Sequence, residues 1–186
     1  MFQNQINSSS AISQVGKKKD DPLVQELISF LKTNDPFFEI YEPCPENIVT
    51  LNDNWATYEA RSFGFTIEFL DVWVSNVSFT IAFSDFYKPT EMRKIYSGSF
   101  DSKLQGCTNR AEVHQSLGKP NNANNDMDQY YVGEDLILGL LYEEATENLL
   151  NISYGAKKIF SNPEYFPNRF SLIFNSLHDI PNDENE

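Results

Sequence analysis

Histidine and cysteine are both scarce in this chain, with two of each in 186 residues. Cys44 and Cys107 lie far apart and without metal-type spacing. They indicate neither a disulfide framework nor a zinc site and read as two reduced thiols. Nucleophilic catalysis usually needs a base beside the nucleophile, and the only histidines are His114 and His178, with no Gly-x-Ser-x-Gly motif to serve. His114 follows the apolar position Val113 on a short predicted helix and reads as solvated, while His178 reads as a favourable charge at the end of a helix. No His-x-x-x-His, Cys-x-x-Cys or calcium-loop pattern occurs. The nearest acidic cluster, Asp126 and Asp128 in NNDMDQ, lacks the glycine and distal glutamate of a calcium loop and reads as solvated. Gly98, Gly106 and Gly118 are isolated turn glycines, not a phosphate cradle. The adjacent pairs Glu134-Asp135 and Glu143-Glu144 would point to opposite faces of a strand, which is the wrong arrangement for an acid/base couple. The expectation is a protein without cofactor or metal that is not an enzyme.

Positive charge is also in short supply: 14 Lys and Arg stand against 27 Asp and Glu, for a net charge of −13. Such a surface repels phosphate backbones and anionic lipid, so neither nucleic acid nor membrane is an expected partner. It attracts and steers a basic protein, although acidity also serves solubility alone. No segment reaches the roughly 20 apolar residues of a membrane helix. The opening MFQNQINSSSAISQVGKKKDD has no apolar core behind basic residues, unlike a secretory signal. The expected location is therefore the cytoplasm, and the sequons at Asn76 and Asn151 are then chance matches.

What the chain does have is apolar bulk. Hydrophobic residues make up 40%, aromatics 14%, and phenylalanine alone contributes 15 residues, enough to offset the ordering entropy of one domain. The expected organisation is a disordered polar tail over residues 1–19, one domain over 20–178, and a flexible acidic tail over 179–186. Asp20, Asp21 and Pro22 announce a helix carrying Leu23, Leu27, Phe30 and Leu31, stopped by Asn34-Asp35-Pro36. FGFTIEF and NVSFTIAF alternate with period two and predict an antiparallel pair buried on one face. Shorter strands are expected at Ile48–Leu51 and Trp55–Ala60. Asn109 and Glu112 form a capping box for a second helix that ends at Gly118-Lys119-Pro120. Strands at Gln129–Val132, Leu136–Tyr142 and Leu149–Tyr154 follow, and Phe166, Phe170, Ile173, Phe174 and Leu177 predict a last helix. Strands in antiparallel clusters between helices specify α+β. The expected fold is an antiparallel sheet with helices packed on one face, in which a helix-and-strands unit occurs twice before a C-terminal helix.

Between Lys119 and Lys157 there is no Lys or Arg, whereas seven carboxylates fall in that span. Glu134, Asp135, Glu143, Glu144 and Glu147 are the expected contacts for a basic partner, gathered at one end and edge of the sheet. Edge protection is the competing reading, although lysine is the more usual guard. Trp55, Tyr130 and Tyr131 are candidate anchors if exposed, and core residues if not.

The stretch IYSGSFDSKLQGCTNRAEVHQSLGKP, with DPLVQELISFL before it and FGFTIEFLDVW, DQYYVGEDLILGLLYEE and NLLNISY in outline, resembles small bacterial immunity-type proteins of polymorphic-toxin and secretion-system loci. Its Leu117-Gly118-Lys119-Pro120 ending also resembles the helix-plus-sheet module of β-lactamase inhibitor proteins. The likeness runs from about Asp20 to Tyr154. It departs at Phe100–Leu104, where a Leu-Pro-x-Gly-Leu segment is usual, and in the extra helix from Pro163. The resemblance implies a protein that binds and neutralises a cognate toxin or effector, and the acidity suits one with a basic cleft. An adaptor without catalytic activity is the alternative. Neither reading fixes the oligomeric state.

Overall fold

The computed structural model describes residues 6–42, 54–84, 93–100 and 103–161. The predicted strand at Ile48–Leu51, the last helix, His178, Cys44 and the acidic tail lie outside them. Within them the chain runs α1 (Ser8–Ile12), α2 (Pro22–Asn34), β1 (Phe38–Tyr41), β2 (Trp55–Ala60), β3 (Phe65–Leu70), β4 (Trp73–Thr80), α3 (Arg110–Leu117), β5 (Asn122–Ala123), β6 (Met127–Val132), β7 (Leu136–Tyr142), β8 (Leu149–Ala156) and α4 (Lys157–Phe160). The eight strands form one antiparallel sheet in the order β1-β2-β3-β4-β8-β7-β6-β5. The fold is mixed α and β, and the sheet dominates it. A helix followed by a four-strand meander occurs twice, and the two meanders join where β4 pairs with β8.

Local chemistry explains the elements that the sequence announced. Asp21 accepts from the Leu23 amide and Pro22 opens α2, whose Val24, Leu27, Ile28 and Leu31 are buried. Asn109 accepts from the Glu112 amide and Glu112 reaches back to Thr108, closing the N-terminus of α3. Between β3 and β4 the chain reverses at Asp71, which takes φ 54. Gly64 sets the entry to β3 with φ 61, and its backbone lies so close to that of Lys94–Tyr96 that any Cβ would collide with it.

Leu70, Ala156 and Ile159 form the smaller of two apolar clusters, and the larger holds the sheet and helices together. Phe65, Ile67 and Phe69 of β3 join Val77 and Phe79 of β4, Ile152 and Tyr154 of β8, and Leu138 and Leu140 of β7. The buried side chains of α2 and Val113 of α3 belong to the same cluster. The intervening strand positions are polar yet also buried at Asn76, Ser78, Asn151 and Ser153, so the central strands are enclosed on both sides, not one. This burial takes in both sequons.

Residues 6–19 differ from the expected disordered tail. Ile6 is 1% exposed, Ala11 is buried, and the Tyr96 hydroxyl donates to the Ile6 carbonyl at 2.8 Å. Asn7 caps α1, and residues 16–19 then run antiparallel beside residues 72–74, with Gly16 N–H to Val74 O and Val74 N–H to Lys17 O both at 2.8 Å. The polar composition hides this because the anchoring apolar residues, Ile6, Ala11, Ile12 and Val15, are spaced among serines and amides. Strand β1 was likewise unannounced, as was the short α4.

Candidate functional site

The β6–β7 and β7–β8 hairpins place the five carboxylates. Glu134 and Asp135 occupy the β6–β7 turn, where Gly133 takes φ 63. Glu143, Glu144 and Glu147 occupy the β7–β8 turn. Between the two turns runs the whole of β7, seven residues or roughly 20 Å of extended chain. The expectation that the five crowd one end of the sheet is therefore corrected: two lie at one end and three at the other. A full-length strand must deliver its flanking residues to opposite ends, whatever the charge pattern along the sequence.

The three-carboxylate turn is the more elaborately built. Glu143 N–H bonds Asn148 O at 2.8 Å, Glu147 N–H bonds Glu143 O at 2.7 Å, and the Thr146 hydroxyl donates to the Glu143 carboxylate. Glu147 takes φ 55, an uncommon value for a residue with a side chain. The start of α3 is laced to this turn: Arg110 N–H bonds Glu147 O at 3.0 Å and Leu149 N–H bonds Thr108 O at 2.8 Å. Glu144 and Glu147 are exposed.

Beneath the turn lies a cluster that sequence reasoning missed. Asp128 is 0% exposed, a β6 residue and not the solvated loop carboxylate expected. Its Oδ1 accepts from Arg110 Nη2 at 2.7 Å, and its Oδ2 meets His114 Nε2 at 2.7 Å and Arg110 Nε at 3.2 Å. Arg110 further donates to the carbonyls of Asn124 at 2.6 Å and Asn125 at 3.0 Å and stacks on the Tyr142 ring at 5.2 Å. His114, expected to be solvated, has a side chain 41% exposed with one ring nitrogen tied to Asp128. Burial pushes the Asp128 carboxyl up, but hydrogen bonds from Arg110 and His114 outweigh it and hold the group below the ordinary value. Burial, then the nearby Asp128 charge, raises Tyr130 to about 12 and raises Tyr142 further still. The Tyr142 hydroxyl is buried without a hydrogen-bond partner among the described residues. The signal available in the sequence was the i, i+4 spacing of Arg110 and His114, which puts both on one helix face.

An aspartate orienting a histidine is also a catalytic device, but here both carboxylate oxygens are committed to Arg110 as well, and His114 makes no other side-chain hydrogen bond among the described residues. The cluster ties α3, the β5–β6 turn and the acidic turn together. Of the aromatic candidates, Tyr130 is buried and donates to Gly118 O at 2.9 Å, whereas Trp55 and Tyr131 are 43% and 48% exposed. Among the described residues no group of three or more His, Cys, Asp or Glu is placed to hold a metal, and no helix is long and apolar enough to cross a membrane. No protein-family model, no curated protein and no solved structure matches this chain.

Proposed function

We propose that this chain is a protein-binding inhibitor of the immunity type, which neutralises a cognate toxin in the cytoplasm by docking its acidic β7–β8 turn on a basic surface. The observation that carries this reading is the turn itself: half-exposed Glu143 and exposed Glu144 and Glu147 share one short loop pinned by Arg110 and by the start of α3. A loop already fixed in shape loses little entropy on binding, and a cluster of exposed carboxylates raises the rate of encounter with a cationic partner. In this reading α2 and α3 back the apolar side of the sheet, and the strand ends meet the partner. Glu134 and Asp135, at the far end of β7, fall outside this contact. The toxin assignment rests on the resemblance to immunity-type proteins; an adaptor would use the same turn.

The test is co-purification with the product of the adjacent gene, for the native chain and for E143K/E144K/E147K. Capture of the native chain that weakens as salt rises, and at least tenfold weaker capture of the variant, supports the reading. Capture indifferent to both salt and charge reversal overturns the role of the turn. Capture without any loss of the neighbour's toxicity in co-expressing cells favours the adaptor.

A further inference from the structure

The end of the sheet opposite the acidic turn has a different character. Lys17, Lys18, Lys157 and Lys158 come together there from distant parts of the chain, because residues 16–19 pair with 72–74 and α4 follows directly on β8. The Lys18 and Lys158 ammonium groups lie 5.5 and 4.7 Å from the centre of one ring, that of Trp73, and the Lys158 stem lies against Gly16. Lys157 lies 4.7 Å over Tyr131. Among the described residues none of the four forms an ion pair, although Glu134 and Asp135 project from the neighbouring turn. Exposed Tyr131 lies under Lys157, and exposed Trp55 and Val72 lie at the same end of the sheet, in register with or next to Leu70 and Trp73. Exposed aromatics with unpaired cations, on a chain of net charge −13, form a surface suited to a carboxylate-bearing partner.

We propose that this lysine–aromatic end docks the acidic β7–β8 turn of a second copy of the chain. Charge complementarity chooses the occupant: Glu143 and Glu144 lie at the far end of the same sheet, the length of β7 away, so a molecule cannot satisfy its own lysines with them but a neighbour displaced along the strand axis can. The contact joins unlike surfaces, so it is made head to tail and either closes on itself or runs on as an open chain, according to the rotation between neighbours. It uses the turn assigned above to a basic partner but stands whether or not that partner exists. Where both hold, self-association and partner binding compete for the same carboxylates.

Charge exchange between the two ends tests the proposal on the full chain. In sedimentation velocity the native protein should show a weight-average mass that climbs above 21.4 kDa with concentration. K18E/K158E and E143K/E144K should each associate about tenfold more weakly or less. An equimolar mixture of the two should regain association, because the reversed turn of one now fits the reversed patch of the other. K18Q/K158Q, a milder change whose fold is checked by circular dichroism, should weaken association in the same direction. Loss of self-association by the lysine variants with intact capture of the basic partner separates this proposal from the preceding one. A native protein that stays at monomer mass, association untouched by either reversal, or a mixture that stays dissociated overturns it.

Discussion

The two helix-and-meander units share a topology but close on the sheet by different means. In the first, α2 is thirteen residues long and inserts Val24, Leu27, Ile28 and Leu31 into the common core, each such burial contributing roughly 1.5–3 kcal/mol. In the second, α3 has eight residues and one buried apolar side chain, Val113. The deficit is met by charge: Arg110 and His114 reach down from α3 to a fully buried Asp128. Apolar packing tolerates variation in its contents, whereas an enclosed ion cluster depends on every member being present. The first unit should therefore yield gradually to substitution and the second abruptly.

Removing the shared carboxylate is the sharpest way to break this comparison. Asp128→Ala leaves the largely enclosed Arg110 guanidinium with only the exposed Glu147 carboxylate at 3.9 Å as counter-charge and should cost about 3 kcal/mol, read by denaturant unfolding, with faster amide exchange in α3 and the β7–β8 turn than in α2. Uniform loosening of both units would show that the cluster is not what holds α3. Acid approaches the same state by titration. The folded-state pKa of Asp128 is depressed, so its contribution is complete above the ordinary value of 3.8 and disappears as pH falls through the lower folded value. Protection of α3 should therefore decline at strongly acidic pH in the native chain, and this component should be absent in Asp128→Ala. Leu27→Ala, which opens a void under α2, should cost about 3 kcal/mol and spare the exchange of α3 relative to that of α2. The smallest effect concerns the caps: Asp21→Ala and Asn109→Ala each remove one helix-end hydrogen bond, worth about 1 kcal/mol. Because α3 is short and weakly packed, Asn109→Ala should lower its helix protection more than Asp21→Ala lowers that of α2; equal losses would mean the two helices are equally secure.

The same contrast explains what was legible in the sequence. Elements that rest on local rules were announced by it: the Asp21-Pro22 start of α2, the Asn109/Glu112 box of α3, and the run Leu136–Tyr142 that became β7. Elements that rest on distant neighbours were not. β1 is four residues whose pairing with β2 crosses a long connection, and β5 is two residues. Asp128 looked solvated because its partners lie on a preceding helix and a polar residue within MDQYYV weakens the strand pattern. The five carboxylates stand close together in the sequence, but β7 carries two of them to one end of the sheet and three to the other. The order of the polar stretch before Asp20 is not legible in its own composition, because it comes from Tyr96 and Val74, far along the chain.

The junction of β4 with β8 has a consequence for how the molecule assembles. Within each meander a strand pairs with its immediate successor, so each closure spans at most the connection between β1 and β2, but Thr80 must find Asn151 after the second unit has been laid down. Closing that long loop carries the largest entropic cost of any pairing in the sheet, and it lies at the centre, where both flanking strands wait on it. Until it forms, each meander presents a bare, hydrogen-bond-hungry central edge, so the interval before closure is when a nascent chain is most exposed to swapping halves with another.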